Sequence, residues 1–498
     1  MYKFLFGLLI MFSFKAQSQP SFIKDSIDTY INTAMKDWSL PGLAVVIVKD
    51  GKVAYMKGFG VKDIETKTAV DENTLFMIAS NTKLFTGTSL AMLAQQKKLD
   101  LNDNITKYFP DYKLYDSTTT KLVTIKDMLS HRIGTKTFQG DFTFYNGNLS
   151  RGEIMYRMRY LKPQGKLRQD YGYCNSCYLV AGEIIPKAVM QPWEVFIYDS
   201  IVKLAGMLNT QILSYGIEML SNIAKPYTTS FTGILKEIPY DRWDNLAPAA
   251  SMVSNVKDLS KWLMLQLDSG KVNGRQVIPW QAIQATRDIN IVINSRKNKL
   301  FPTHIVGYGL GLINADYNGK QIYWHTGGAG GMLSNVCFVP EENLGIAILT
   351  NNDNQNLFEA LRYQILDAYL NVPYVNRSKQ LLKGFLNGEK AKQDSITAWQ
   401  SLIKNYANTK QFEGDYYNEL YGKIIITAQT NKLHINFTGH NNLTARLSYI
   451  GNDEWLLEYN NIEFGVYKTR FKKDGKKQTL EIKMNPFIEN DSYWFTRK

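Results

Sequence analysis

Phe76-Met77-Ile78-Ala79-Ser80-Asn81-Thr82-Lys83 runs directly into Leu84, Phe85, Leu90, Met92 and Leu93, apolar positions with the density and length of a buried helix. A serine three residues ahead of a lysine puts hydroxyl and amine on one helix face, about one turn apart. An amine so placed can activate the serine without a histidine. The unpaired N–H groups and positive dipole at a helix start favour the negative charge that develops on an attacked carbonyl. The four-residue pattern does not select Ser80 by itself, because Ser21…Lys24, Ser200…Lys203, Ser254…Lys257 and Ser401…Lys404 repeat it. Downstream partners make the selection. Tyr173-Cys174-Asn175 follows, then His325-Thr326-Gly327, the one His-Thr-Gly of the chain, whereas Tyr-x-Asn recurs, as at Tyr30-Ile31-Asn32.

This trio, in this order, resembles the serine β-lactamase and penicillin-binding-protein family, in its class C-like, S12-type peptidase branch. Leu129-Ser130-His131-Arg132-Ile133-Gly134, Tyr308-Gly309-Leu310-Gly311 and the run from Ala247 to Ser254 are further landmarks of that likeness, which covers residues 22–372. It implies an α+β fold, an antiparallel sheet flanked by helices with a helical insertion, and an acyl-enzyme on Ser80. By the family pattern Ser80, Lys83, Tyr173 and His325 are the catalytic residues. Asn175 orients Lys83 and binds a substrate amide, beside Thr326, Gly327 and Gly328. The oxyanion is held by the N–H groups of Ser80 and Gly328.

A hydroxyl attacks a carbonyl at neutral pH only once a base removes its proton. Lysine serves if burial keeps it neutral, and tyrosinate serves if a cation stands near it. The two titrations are coupled, so Lys83 and Tyr173 are taken as a shared base. His325 stands where many β-lactamases of the family carry lysine, and a neutral imidazole anchors a ligand carboxylate poorly. The resemblance therefore implies an amide or ester hydrolase for peptide-like substrates, of D-amino-acid peptidase, amidase or carboxypeptidase type. A β-lactamase or esterase of the same fold, and a non-catalytic envelope binding protein, are the alternatives.

The chain has 498 residues, too many for one core. Lys3, an apolar run from Phe4 to Phe14 and the small residues Ala16 and Ser18 mark residues 1–18 as a signal peptide, placing the protein in the periplasm or secreted. That run is too short to span a bilayer, so no stable membrane anchor is expected. The formal charge of +13 is spread along the chain without a basic block interleaved with aromatics, which argues against nucleic acid as a partner. No cofactor is expected, and no His-x-x-x-His or Cys/His cluster suggests a metal. Cys174 and Cys177 are expected as small buried packing residues. The expected partner is a small-molecule or peptide-like substrate, and a homo-oligomer is left open.

Residues 19–372 are expected to form the catalytic domain, with strands at 43–48, 52–56, 306–314, 321–325, 332–339 and 344–350. His325 is placed on an edge strand facing Ser80. Residues 373–407 read as a helical connector with an apolar stripe at Ile396, Trp399, Leu402, Ile403 and Tyr406. Residues 408–498 carry about eight short strands separated by turn signals, the rhythm of a small barrel with its own core. With Phe412-Glu413-Gly414-Asp415-Tyr416, this tail resembles the lipocalin-like domain attached to some peptidases of the family.

Overall fold

Asp50 and Gly51 link the strands Gly42–Lys49 and Lys52–Asp63 with φ of 52° and 73°, the left-handed pair that a two-residue hairpin turn requires. Asn318 and Gly319 do the same between Ile313–Tyr317 and Lys320–Ala329. This geometry comes from a computed structural model describing residues 19–498. The expected signal peptide lies outside those residues.

Nine antiparallel strands form the main sheet, in the order Ile291–Asn294, Val306–Tyr308, Ile313–Tyr317, Lys320–Ala329, Met332–Val339, Leu344–Thr350, Gly42–Lys49, Lys52–Asp63 and Thr68–Ala69. The two ends of the domain's sequence meet where Gly42–Lys49 pairs with Leu344–Thr350, Val45 opposite Ile348. Alternation along these strands sorts the side chains onto two faces. Leu43, Val45, Ile47, Ile346 and Ile348 pack under the helices Ile27–Asp37 and Leu357–Tyr369. Ala44, Val46, Val48, Ala347 and Leu349 pack on the other face with Thr82–Gln95 and Val256–Leu267. Most of the sequence between the two halves of the sheet forms a helical layer over that second face, and the site is built there.

Three expectations change. The strand read at 306–314 is two strands broken at Gly309–Leu312, because that turn lies against the helix of Lys83. A Cβ on Gly311 would come within 2.4 Å of the Lys83 carbonyl oxygen, and one on Gly87 within 2.1 Å of that of Leu310. His325 is not on an edge strand: Lys320–Ala329 is paired on both sides as far as Trp324. Beyond Trp324 the pairing with Ile313–Tyr317 stops, so His325–Ala329 keeps one open edge. The connector's helix, Arg377–Ser401, ends before its apolar stripe does. Leu402 and Ile403 are exposed, while Tyr406 packs on Tyr449 and Trp455 of the next unit.

That unit is a closed eight-stranded barrel from Gly414–Asn418 to Tyr493–Arg497, sealed where Tyr416 and Tyr417 pair with Arg497 and Thr496. Its core is not separate, contrary to the expectation of two cores. One apolar cluster runs from the helical layer into the barrel, and Phe142 packs against Tyr421, Phe437, His440 and Phe464. The fold is thus an α+β sheet domain with a helical insertion and a C-terminal barrel docked on that insertion.

Candidate active site

Ser80 stands on a short turn, Ala79–Asn81, that leads into the helix Thr82–Gln95. Ala79 has φ of 48°, a left-handed conformation that costs a residue with a Cβ of order 1–3 kcal/mol and here marks the turn that presents Ser80. Gly327 allows the opposing strand to cross this turn closely, since a Cβ there would lie 2.0 Å from the Ile78 carbonyl oxygen. Gly327 thus sits behind the turn, while Thr326 and Gly328 line the cavity in front of it.

One helical turn beyond Ser80, the buried Lys83 Nζ lies 3.0 Å from Ser80 Oγ, 2.6 Å from Asn175 Oδ1 and 2.9 Å from the Ala249 carbonyl oxygen. Burial holds this amine well below the ordinary lysine range, with Asp141 acting weakly in the opposite sense. Asn175 opens the helix Asn175–Gly182, and its Nδ2 donates to Asp141 Oδ2 at 2.6 Å. Tyr173 is half-buried at the cavity wall, its phenol pushed well above the usual range by desolvation; the Ser80 hydroxyl acts the other way. The Tyr173 ring lies under Lys83 Nζ, 4.9 Å from centroid to nitrogen, and 4.2 Å from the ring of His131.

His325 has both ring nitrogens engaged. The Thr326 carbonyl can only accept, so Nδ1 carries the proton and donates to it at 2.6 Å, leaving Nε2 to accept from the Tyr308 hydroxyl at 2.9 Å. Burial, with help from Lys83, pushes this imidazole down to about 3, so it is neutral at physiological pH. The structure therefore gathers Ser80, Tyr173, Asn175, His325, Thr326 and Gly328 around one cavity of about 260 Å³, with Lys83 behind that lining, bonded to Ser80 and Asn175. Ser254, by contrast, is buried against Thr210 Oγ1 at 2.8 Å, and its Lys257 reaches out to Asn73. Cys174 and Cys177 are not unpaired packing residues: they form a disulfide with their Cα atoms 5.4 Å apart. Among the described residues no acid, histidine and cysteine cluster could hold a metal, and no helix is long and apolar enough to cross a membrane.

Sequence reading missed Asp141 and Phe487. Asp141 lies in no motif, and its burial raises its carboxyl to about 7. Phe487 belongs to the connection between the last two barrel strands, which is longer than any connection before it in the barrel. That loop clamps the cavity rim: Glu489 accepts from Gly140 N–H at 2.7 Å, Asn490 Nδ2 donates to the Thr137 carbonyl at 2.8 Å, and Asp491 pairs with Lys136 at 2.9 Å. Phe487 packs on Phe138 and covers Gly328 so closely that a Cβ there would lie 2.3 Å from its ring. Phe487→Ala is expected to widen the rim and raise the preference for bulky over small substrates about tenfold. Paired kcat/KM values would check this, and an unchanged ratio would remove the ring from substrate selection. A chain ending at Tyr406 would expose Phe142 and strip Gly140 of its acceptor, so it should be less stable than the full chain.

Burial also raises Glu489 to about 8 and Asp241 and Asp353 to about 6. These folded-state values lie above those of the unfolded chain, so the sign is opposite to that of a salt-bridged acid. The stabilisation is complete below about pH 4 and is lost as pH rises to about 8, by up to about 1.4 kcal/mol per unit for each group titrating. These three acids lower the unfolding temperature between pH 5.5 and pH 8.5, whereas the depressed Lys83 and His325 act in the opposite sense, so the contribution of Glu489 is read as the difference between parent and variant. Glu489→Gln should gain unfolding temperature relative to the parent as pH rises from 5.5 to 8.5, and a constant difference between the two would show that Glu489 does not contribute.

The chain matches the Beta-lactamase family over residues 27–370. It belongs to that family. Protein flp of Staphylococcus aureus strain NCTC 8325 is 26% identical over 353 residues, 69% of this chain and 67% of the relative. A protein named unguisins hydrolase ungD′ from Aspergillus campestris is 26% identical over 362 residues, 69% of this chain and 64% of that one. The octameric penicillin-binding protein homologue from Pyrococcus abyssi superposes with a TM-score of 0.61 at 20% identity, covering 95% of this chain and 99% of that structure. The last likeness extends through the barrel, so it is a likeness of the two-part fold. The chain is thus a β-lactamase-fold protein of a serine hydrolase family.

Proposed function

We propose that this protein is an exported serine hydrolase that forms an acyl-enzyme on Ser80 and cleaves amide or ester bonds of small, peptide-like substrates. The observation that carries the reading is the 3.0 Å approach of the buried Lys83 amine to Ser80. As a neutral amine, Lys83 donates its two hydrogens to Asn175 Oδ1 and the Ala249 carbonyl, and its lone pair faces the Ser80 hydroxyl. An ammonium would satisfy the same three oxygens, but burial favours the amine. Lys83 then takes the serine proton as Ser80 attacks. Tyr173, whose phenol desolvation holds in the protonated form, carries a proton to the leaving group. Backbone N–H groups of Ser80 and Gly328 receive the oxyanion.

His325 is the sole basic side chain among the residues lining the cavity, and it is neutral. A substrate carboxylate therefore finds no cation, which favours neutral amides and esters over β-lactams and free peptide C-termini. The lining of Phe138, Phe144, Tyr145, Trp243 and Phe487 fits an apolar acyl group. The similar protein named a hydrolase supports bond cleavage. Export rests on residues 1–18. A fluorophosphonate probe, followed by a panel of esters, D- and L-aminoacyl amides and β-lactams, tests the reading. No adduct on Ser80 would reject it.

A further inference from the structure

Cys174 lies between two residues of the site, and its sulfur meets that of Cys177. The peptide on one side is anchored: Tyr173 N–H donates to Thr137 Oγ1 at 3.2 Å, and its carbonyl accepts from Phe138 N–H at 2.9 Å. Cys174 N–H donates to His131 Nδ1 at 3.0 Å. On the other side begins the helix Asn175–Gly182, whose N-cap is Cys174 and whose first turn receives no side-chain capping bond. A helix start without such a bond forgoes a stabilisation of about 0.5–2 kcal/mol. Within that uncapped turn stands Asn175, holding Lys83 Nζ and Asp141 through opposite ends of one amide. Both contacts depend on the orientation of that one amide.

We propose that the Cys174–Cys177 disulfide is a working part of the site: it ties the uncapped first turn to the anchored Tyr173 peptide and so positions Asn175 against Lys83. The inference rests on the acyl-enzyme reading above. Forming the sulfur–sulfur bond removes one proton and one electron from each thiol, and a disulfide compound accepts the two electrons and becomes two thiols. Cys337 is not a competing partner, since it is buried on the opposite face of the sheet. The closed loop is very short, so the bridge constrains the unfolded chain less than a long-range one would. Its main effect is local.

The test has two arms. Unfolded without reductant and alkylated, the chain should take one label, on Cys337, and three after dithiothreitol; three labels without reductant would overturn the bridge. The Cys174→Ser/Cys177→Ser variant should keep its circular dichroism yet be acylated at Ser80 about tenfold more slowly. Its pH–rate profile should be displaced, because the contact that sets Lys83 has loosened. A rate within twofold of the parent, with the same profile, would overturn the positioning role. If the variant does not fold, the parent reduced under native conditions replaces it. That protein should slow likewise and recover on reoxidation, and an unchanged rate with three free thiols would overturn the proposal. A parent that takes no label on Ser80 defeats the acyl-enzyme reading and this inference together.

Discussion

Ser80→Ala abolishes covalent labelling and hydrolysis while the protein remains folded: that is the expected result with the largest effect. The Ser80 hydroxyl makes no capping bond to its helix, so its loss costs little stability. Lys83 keeps two of its three oxygen neighbours, Asn175 Oδ1 and the Ala249 carbonyl. What disappears is the hydroxyl oxygen 3.0 Å from an amine whose pKa burial lowers. Ser254→Ala is the matched control, because Ser254 shares the same sequence pattern but is buried against Thr210 away from the cavity. Mass spectrometry of the probe adduct decides between them. An adduct on any other serine, or undiminished hydrolysis by the alanine variant, would reject Ser80 as nucleophile.

Lys83→Met is expected to slow acylation by about 10²–10⁴, the usual worth of a positioned general base. Methionine nearly fills the volume, so the core around Phe85 and Tyr178 is kept. The Ala249 carbonyl and Asn175 Oδ1 lose a donor, which costs about 1–3 kcal/mol for each one left unsatisfied. Removal of a buried ionisable group offsets part of that. Time-resolved labelling separates rate from stability, because a folded but slow variant labels fully at long times. Near-normal labelling would mean that another group takes the serine proton, and Tyr173 would then be the candidate.

The residues of the candidate site were legible in the sequence because they fall in short local patterns. Ser80 and Lys83 share a helix face at any three-residue spacing, and His325 and Gly328 follow one another along a strand. The hairpins at Asp50-Gly51 and Asn318-Gly319 were equally legible, since left-handed turns restrict which residues can occupy them. Nothing local marked Asp141: its effect depends on burial beside Asn175, which no window of sequence contains. His325 shows the same division, because its identity was plain but its neutrality comes from Tyr308, the Thr326 carbonyl and the surrounding core.

Alternation and turn chemistry along the chain determined that there would be an antiparallel sheet, a helical insertion and a barrel. Tertiary structure alone decided how they meet. The barrel's strand rhythm specifies its own hydrogen bonding but not which outer surface is apolar enough to bury Phe142, nor that its last loop would bring Phe487 over Gly328. Such contacts join residues hundreds of positions apart, and their energy comes from water excluded between two finished surfaces, a quantity that exists only once both have folded.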